Sequence, residues 1–280
     1  MEAVQNPEIP GQWPKMAARW QLLGPPLRPS CQDLEIISKA ISRWAPPPPT
    51  ALRILILGVT PEYPALDLDR QVDFQALDRT RSMIEAVWPG PRESAACGDW
   101  CSMPWCQPLF DVALCDGGLQ LLVNPSGVAA VAKELQRVMK AGGLFIVRLF
   151  CPPMPGETPE QVVSQLLAGG ITNLNELKLR LNPALQLDPE RGVPLASVWQ
   201  YLHERLGPWS ELAARLGWSL EHLQVIDAYR ENNARMHFFD VSEAIRLITA
   251  ASDLEHLETV TANYRMALSC PTLIFRRPSP

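Results

Sequence analysis

No stretch of this chain stays apolar for anything near the ~18–20 residues that a membrane-spanning helix needs, so no such helix is expected in it. An excess of positive charge is also missing. Twenty-five Lys and Arg stand against 30 Asp and Glu, a net charge of −5, which gives no general attraction to nucleic acid or to an anionic bilayer. The opening residues, MEAVQNPEIPGQW, lack the basic start and apolar core of a secretory signal, and the chain reads as cytoplasmic. Seven cysteines in a long chain do not make a disulfide framework. Cys97, Cys101 and Cys106 lie close together, but without C-x2-C spacing and with no histidine beside them, so no metal site is expected. Cys97 and Cys115 fall in apparent strands, where free cysteine behaves as a small hydrophobe.

Glycine is scarce at one telling place. RILILGVTPEYPAL, residues 53–66, has the outline of a strand, a ligand-binding turn and a helix, yet carries only Gly58. Such turns usually carry two or three glycines to let a ligand approach the backbone. Proline, by contrast, is abundant at 28 residues, and the run Pro46–Pro49 reads as a stiff extended spacer.

Residues 1–50 read as an N-terminal helical arm. WPKMAARWQLLG is a short helix stopped by Gly24-Pro25-Pro26, and SCQDLEIISKAISRW opens with Ser30 three residues before Asp33, a capping-box spacing. Leu34, Ile37, Ile41 and Trp44 share a face. The arm serves as packing or as a lid over a ligand. Residues 51–150 alternate in period: LRILILG, VDFQALD, ESAACG, FDVALCDG and GLFIVRLF read as strands. Helices are expected over Arg79–Val87 and over GVAAVAKELQRVMKAGG, the latter ended by its two glycines. This is the pattern of parallel β-α-β units in a doubly wound α/β sheet. Residues 151–251 read as a helical insertion, and 252–280 as a closing hairpin of LETVTANY and TLIFRR.

Ligands of such sheets bind beyond the carboxyl ends of the strands, so the residues there are the candidates. After the first strand, Thr60 is placed to cap a helix and Pro61 to occupy its first turn, exposing free N–H groups to an anion. Asp78 ends the second strand, twenty residues beyond Gly58, placed to accept from two ribose hydroxyls; it serves equally as the cap of RTRSMIEAV. Gly98-Asp99-Trp100 follows the third strand and suits an adenine, or forms a plain surface loop. Asp116-Gly117-Gly118 follows the fourth, where glycine permits close approach.

The order of these strand ends, and above all GDWCSMPWCQPLFDVALCDGGLQLL followed by KELQRVMKAGGLFIVRLF, resembles the class I S-adenosylmethionine-dependent methyltransferases. Met139 and Ala141 stand where that family's pattern has Leu and Pro. The resemblance covers residues 51–150 well and about 254–277 loosely. It implies a mostly parallel seven-stranded sheet with an antiparallel last strand. It also implies S-adenosylmethionine as cofactor, with the Gly58 turn at its methionine part and Asp78, beside Arg79, at its ribose. Asp99 and Trp100 would meet the adenine, and Asp116, beside Gly117, the amino group or the methyl. The family's acidic residue two before the first glycine is Ile56 here, and its later glycines are Thr60 and Glu62. Glu62 is thereby expected to face the cofactor's cationic end.

The methyl acceptor is expected to be a small molecule, enclosed by the arm and the insertion, with no nucleic acid or membrane partner. Arg28, Arg148 and Tyr201 are the candidate substrate-binding residues, and His203, Tyr229, His237 and, less centrally, His222 the candidate bases or orienters. Trp13, Trp20, Trp44, Trp199, Trp209 and Trp218 lie outside the sheet, where they either line an aromatic cavity or staple helices. Two other readings stay open: a catalytically inactive binding or scaffold protein on the same fold, favoured by the glycine-poor turn, and a Rossmann-type dehydrogenase, disfavoured by it because a pyrophosphate needs closer backbone approach.

Overall fold

A computed structural model describes residues 13–45 and 51–279. The Pro46–Pro49 spacer lies outside the described residues. Ten helices are described: α1 Trp13–Ala17, α2 Cys31–Trp44, α3 Arg81–Val87, α4 Ser126–Val138, α5 Pro159–Leu167, α6 Leu174–Ala184, α7 Leu195–Leu206, α8 Trp209–Leu216, α9 Leu220–Gln224 and α10 Val241–Ala251. The strands are β1 Leu52–Leu57, β2 Val72–Asp78, β3 Ala95–Cys97, β4 Phe110–Asp116, β5 Met139–Arg148, β6 Val193–Pro194, β7 Arg235–Met236, β8 Glu255–Val260 and β9 Thr272–Arg276.

Seven strands form one sheet in the order β3-β2-β1-β4-β5-β9-β8. The first five run parallel, and β9 lies antiparallel between β5 and β8. β1 and β4 are buried on both faces, as their unbroken apolar runs require. Ile54, Ile56, Val112, Leu114 and Ile146 pack on one face under Ile37 and Ile41 of α2 and Met83 and Ile84 of α3. Leu55, Ala113, Phe145 and Phe275 pack on the other under α4 and α10. A separate apolar cluster holds α5 to α8 together and takes in Met16 and Leu23 from the N-terminal arm. α2 begins with the capping box expected of Ser30 and Asp33. α10, which falls within residues 151–251, packs on the sheet beside α4.

Two local expectations are corrected. No α-helix follows β1. Pro64 has no N–H with which to close the first helical bond to the Thr60 carbonyl, and a residue before proline avoids the α region, so the segment turns by three-residue bonds instead. Tyr63 N–H reaches Thr60 O at 3.2 Å and Leu66 N–H reaches Tyr63 O at 3.1 Å, leaving only the 3-10 turn Tyr63–Ala65 with Tyr63 fully buried. Thr60 therefore caps no helix, and no helix dipole points at the cleft from there. The second correction concerns Gly142 and Gly143. α4 ends at Val138, before them, and they lie inside β5, where the pairing with β4 shifts register between Phe110 and Val112. Gly142 has φ +76°, a backbone state that disfavours a side chain, and a Cβ on Gly143 would stand 2.9 Å from the Lys140 carbonyl.

Candidate functional site

The sheet reverses its strand order between β1 and β4, and a doubly wound sheet opens a crevice at that point. Here the carboxyl ends of β1, β2 and β4 and the loop after β3 form one wall of a single cleft. α1, α6 and the segments around Tyr229 and Phe238 form the other wall. Eight of the nine residues expected at the cofactor line it: Gly58, Thr60, Asp78, Arg79, Asp99, Trp100, Asp116 and Gly117.

Gly58 ends β1 at φ +97° and donates its N–H to the Leu77 carbonyl at 2.9 Å. That turn needs glycine for its backbone angle alone. Asp78 Oδ1 accepts the Thr80 N–H at 2.7 Å. Its Oδ2 points toward Gly58, 3.9 Å from where a Cβ would stand there. Burial pushes the Asp78 carboxyl up to about 6, against the opposing pull of the Thr80 bond. Trp100 donates its indole N–H to the Leu77 carbonyl at 2.6 Å, so the ring is fixed. It spans from the Gly58 turn to Gly118, where an added Cβ would come within 2.8 Å of the ring. Asp99 is exposed, and its Oδ1 accepts the Cys101 N–H at 2.8 Å.

Asp116 and Gly117 face the cleft differently. The Asp116 carboxylate is clasped by Arg148, with Nε to Oδ1 at 2.5 Å and the second nitrogen to Oδ2 at 3.1 Å. Arg148 is buried and also donates to the Pro26 carbonyl at 2.8 Å. Burial pushes the Asp116 carboxyl up and the guanidinium opposes it. Arg148 is thus spent beneath the site rather than open to a substrate. The close neighbour of Gly117 is Phe150, whose ring a Cβ there would overlap.

Glu62, the ninth residue, does not line the cleft. It pairs with Arg28 at 2.6 Å, and Arg28 also donates to the Leu23 carbonyl at 3.2 Å. Both Arg28 contacts with Glu62 go to Oε1 and strap the N-terminal arm to the β1 turn, while Glu62 Oε2 is buried without a partner. Tyr201 and His203 lie on α7 outside the cleft lining. Tyr201 donates to Glu160 at 3.3 Å, and the exposed His203 ring stacks on Trp199 at 4.7 Å. His222 is exposed, and His237 is buried with Nδ1 3.1 Å from the Pro189 carbonyl. Of the candidate bases only Tyr229 lines the cleft. Burial raises its phenol further, which keeps it protonated at neutral pH.

Sequence reasoning passed over Lys178 and Asn182, which line the cleft from α6 one turn apart. A signal for them exists. Lys178 falls at i+4 from Leu174 and i−3 from Leu181, inside the apolar stripe of its helix. Phe150, Met236 and Phe238 were equally unmarked, since nothing local distinguishes them from core residues.

No protein-family model and no curated protein matches this sequence. Solved structures match it in fold. A protein assigned as a Zn-dependent alcohol dehydrogenase from Rhodobacter sphaeroides superposes with a TM-score of 0.58 at 12% identity, over 97% of this chain and 99% of its own. A complex of the Haloferax volcanii Trm112 methyltransferase activator with a protein assigned as a methyltransferase gives 0.52 at 12% identity, over 96% and 99%. A protein assigned as an S-adenosyl-L-methionine-dependent methyltransferase from Methanococcus maripaludis gives 0.50 at 14% identity, over 100% and 99%. Identities this low speak for fold and not for activity, and the differing names agree with that. The sheet decides which fold it is. A dinucleotide-binding sheet runs 3-2-1-4-5-6 in parallel, whereas here an antiparallel β9 separates β5 from β8. The fold is that of the class I S-adenosylmethionine-dependent methyltransferases.

Proposed function

We propose that the cleft binds S-adenosylmethionine and directs its methyl group to a small-molecule acceptor. The observation that carries this is the meeting of Gly58, Asp78 and Trp100 at the switch point of the sheet. The residues fit the cofactor there. Asp78 keeps one carboxylate oxygen turned into the cleft, suited to accept from the ribose hydroxyls. The fixed indole of Trp100 and the open Asp99 carboxylate suit an adenine ring and its amine. Gly58 supports backbone approach at the methionine end. Glu62 is assigned no direct contact because it does not line the cleft, and Asp116 none because Arg148 holds both of its oxygens.

When bound, the cofactor supplies a methyl carbon activated by its sulfonium. The chain's own contribution is then to hold the acceptor in line and to keep water out. The helical wall serves both ends, since α1 and α6 close the cleft opposite the strand ends. A cleft walled on two sides, with its lining mostly apolar, supports a small acceptor over a macromolecule. Tyr229, held protonated, is suited to donate a hydrogen bond to the acceptor and not to remove its proton.

A second reading, a non-catalytic protein on the same fold, has one observation in its favour: two carboxylates near the cofactor end are closed off by arginines. Calorimetric titration with S-adenosylhomocysteine separates the two. Micromolar binding is the expected result; no binding at millimolar ligand removes the enzyme reading. A parallel titration with NADH tests the dehydrogenase reading, and tight binding there replaces both.

A further inference from the structure

α6 carries three charged side chains, and two of them are engaged away from the cleft. Glu176 accepts from Arg265 at 2.7 Å and from the Thr172 hydroxyl at 3.0 Å. Arg180 pairs with Glu157 and donates to Gln165 at 2.7 Å. The third, Lys178, turns the other way. It is only 3% exposed and lines the cleft. Among the described residues its ammonium makes no ion pair or hydrogen bond, and its one polar contact is the face of the Tyr229 ring, 5.2 Å away.

A buried ammonium without a counter-charge is destabilising, and a cation–π contact offsets only part of that cost. Burial alone, with no partner to offset it, brings the Lys178 amine down to about 8. That still leaves it charged at neutral pH. One turn further along α6, Asn182 is also buried, and its carbonyl oxygen has no partner. Its amide nitrogen is shared between the Tyr229 hydroxyl and the Met236 sulfur at 3.6 Å, a weak acceptor. An unpaired cation and an unsatisfied amide oxygen therefore sit together on the wall across the cleft from Gly58 and Asp78. The rest of that wall is apolar, built by Met16, Phe150, Met236 and Phe238.

We infer that Lys178 and Asn182 form the acceptor's anchoring site, and that the acceptor is a mainly apolar molecule bearing a single carboxylate. The carboxylate would supply the counter-charge that Lys178 lacks, and Asn182 would take a neighbouring polar group. A singly charged anion suits one lysine on an apolar wall better than a phosphate, which would bring more charge than this wall neutralises. This inference rests on the proposed methyltransferase reading for the word acceptor, and not for the anion preference itself.

The test uses the full chain, saturated with S-adenosylhomocysteine, and a panel of probes: benzoate, phenylacetate and 3-phenylpropionate, each beside its neutral amide. At least one acid is expected to bind about tenfold or more tighter than its amide, and Lys178→Met is expected to abolish that preference while leaving the affinity for S-adenosylhomocysteine unchanged. Lys178→Met should also unfold at a higher temperature than the native chain, because it removes a desolvated charge. Equal binding of acids and amides, or failure of every acid to bind, overturns the proposal. Loss of S-adenosylhomocysteine affinity in Lys178→Met also overturns it, by assigning the lysine to the cofactor's own carboxylate. A lower unfolding temperature in that variant makes the lysine a structural residue and overturns it as well. If the native chain does not bind S-adenosylhomocysteine, the methyltransferase reading fails separately, and the acid–amide comparison is made without it.

Discussion

The two walls of the cleft handle charge in opposite ways. On the sheet side, the strand-end acids are held by the protein itself: Asp116 by Arg148, Asp78 by the Thr80 N–H and Asp99 by the Cys101 N–H. On the helical side, Lys178 faces inward with no counter-charge. The difference follows from how each wall is made. Strand ends are fixed by the sheet, and a turn beyond a strand always offers backbone N–H groups to a nearby acid. A helical wall is assembled from packed side chains, so an inward charge there finds no backbone donor or acceptor to lean on. The sheet wall is thus preset for a ligand common to the fold, while the helical wall is where this chain sets its own selectivity.

Breaking the strongest internal pair should have the largest effect. Arg148→Met leaves Asp116 buried and unpaired, and removing one partner of such a pair costs about 3–5 kcal/mol. Urea unfolding at neutral pH should report that loss, and Arg148→Met combined with Asp116→Asn should recover most of it. A single-variant loss below about 1 kcal/mol would instead return Asp116 to the list of open carboxylates in the cleft.

Next in size is Asp78. Hydrogen bonds to a charged group are worth about 1.5–3 kcal/mol each, so Asp78→Ala is expected to weaken S-adenosylhomocysteine binding by roughly a hundredfold with the circular dichroism spectrum unchanged. Its stability should move the other way. The folded carboxyl titrates near 6, above its ordinary value of 3.8, so the fold prefers the protonated form. The stabilisation this gives is fully present below about pH 4 and is lost as pH rises through 6. Asp78→Asn should therefore raise the unfolding temperature at pH 7 and have little effect at pH 4.

A third test stays with the same residue. Ribose hydroxyls donate to the ionised carboxylate, so affinity for S-adenosylhomocysteine should fall as pH drops below about 6, approaching tenfold per unit. Asp78→Asn should bind weakly and show no such slope. A native chain whose affinity is flat from pH 7 to 5 would move the ribose contact elsewhere.

How far these walls are legible in sequence differs in the same way. β1 and β4 announce themselves as unbroken apolar runs because both of their faces are covered, and the residues after them are candidates by topology alone. The Ser30–Asp33 box is likewise local. The pairings are not local. Arg148 meets Asp116 and Arg28 meets Glu62 only once β4 and β5 lie side by side and the arm folds back, so acids that read as open turn out to be engaged. The turn after β1 was readable in principle, since the missing N–H of Pro64 forbids the helix that Thr60 and Pro61 invite. Lys178 was readable as a charge in an apolar stripe, but the stripe alone does not say whether a cleft lies beyond it.

The smallest expected effect is the most useful control on the helical wall. Tyr201 and His203 sit on α7, outside the cleft lining. The Tyr201 hydroxyl meets Glu160 at the surface, and His203 stacks on Trp199. Exposed contacts of this kind contribute within about 0.5 kcal/mol. Tyr201→Phe and His203→Ala should therefore leave the unfolding temperature, the S-adenosylhomocysteine affinity and the acid-over-amide preference close to native. If either variant alters that preference while Lys178→Met does not, ligand selectivity lies on the outer face of α7. The contrast between the two walls would then have to be redrawn around a site that α6 does not line.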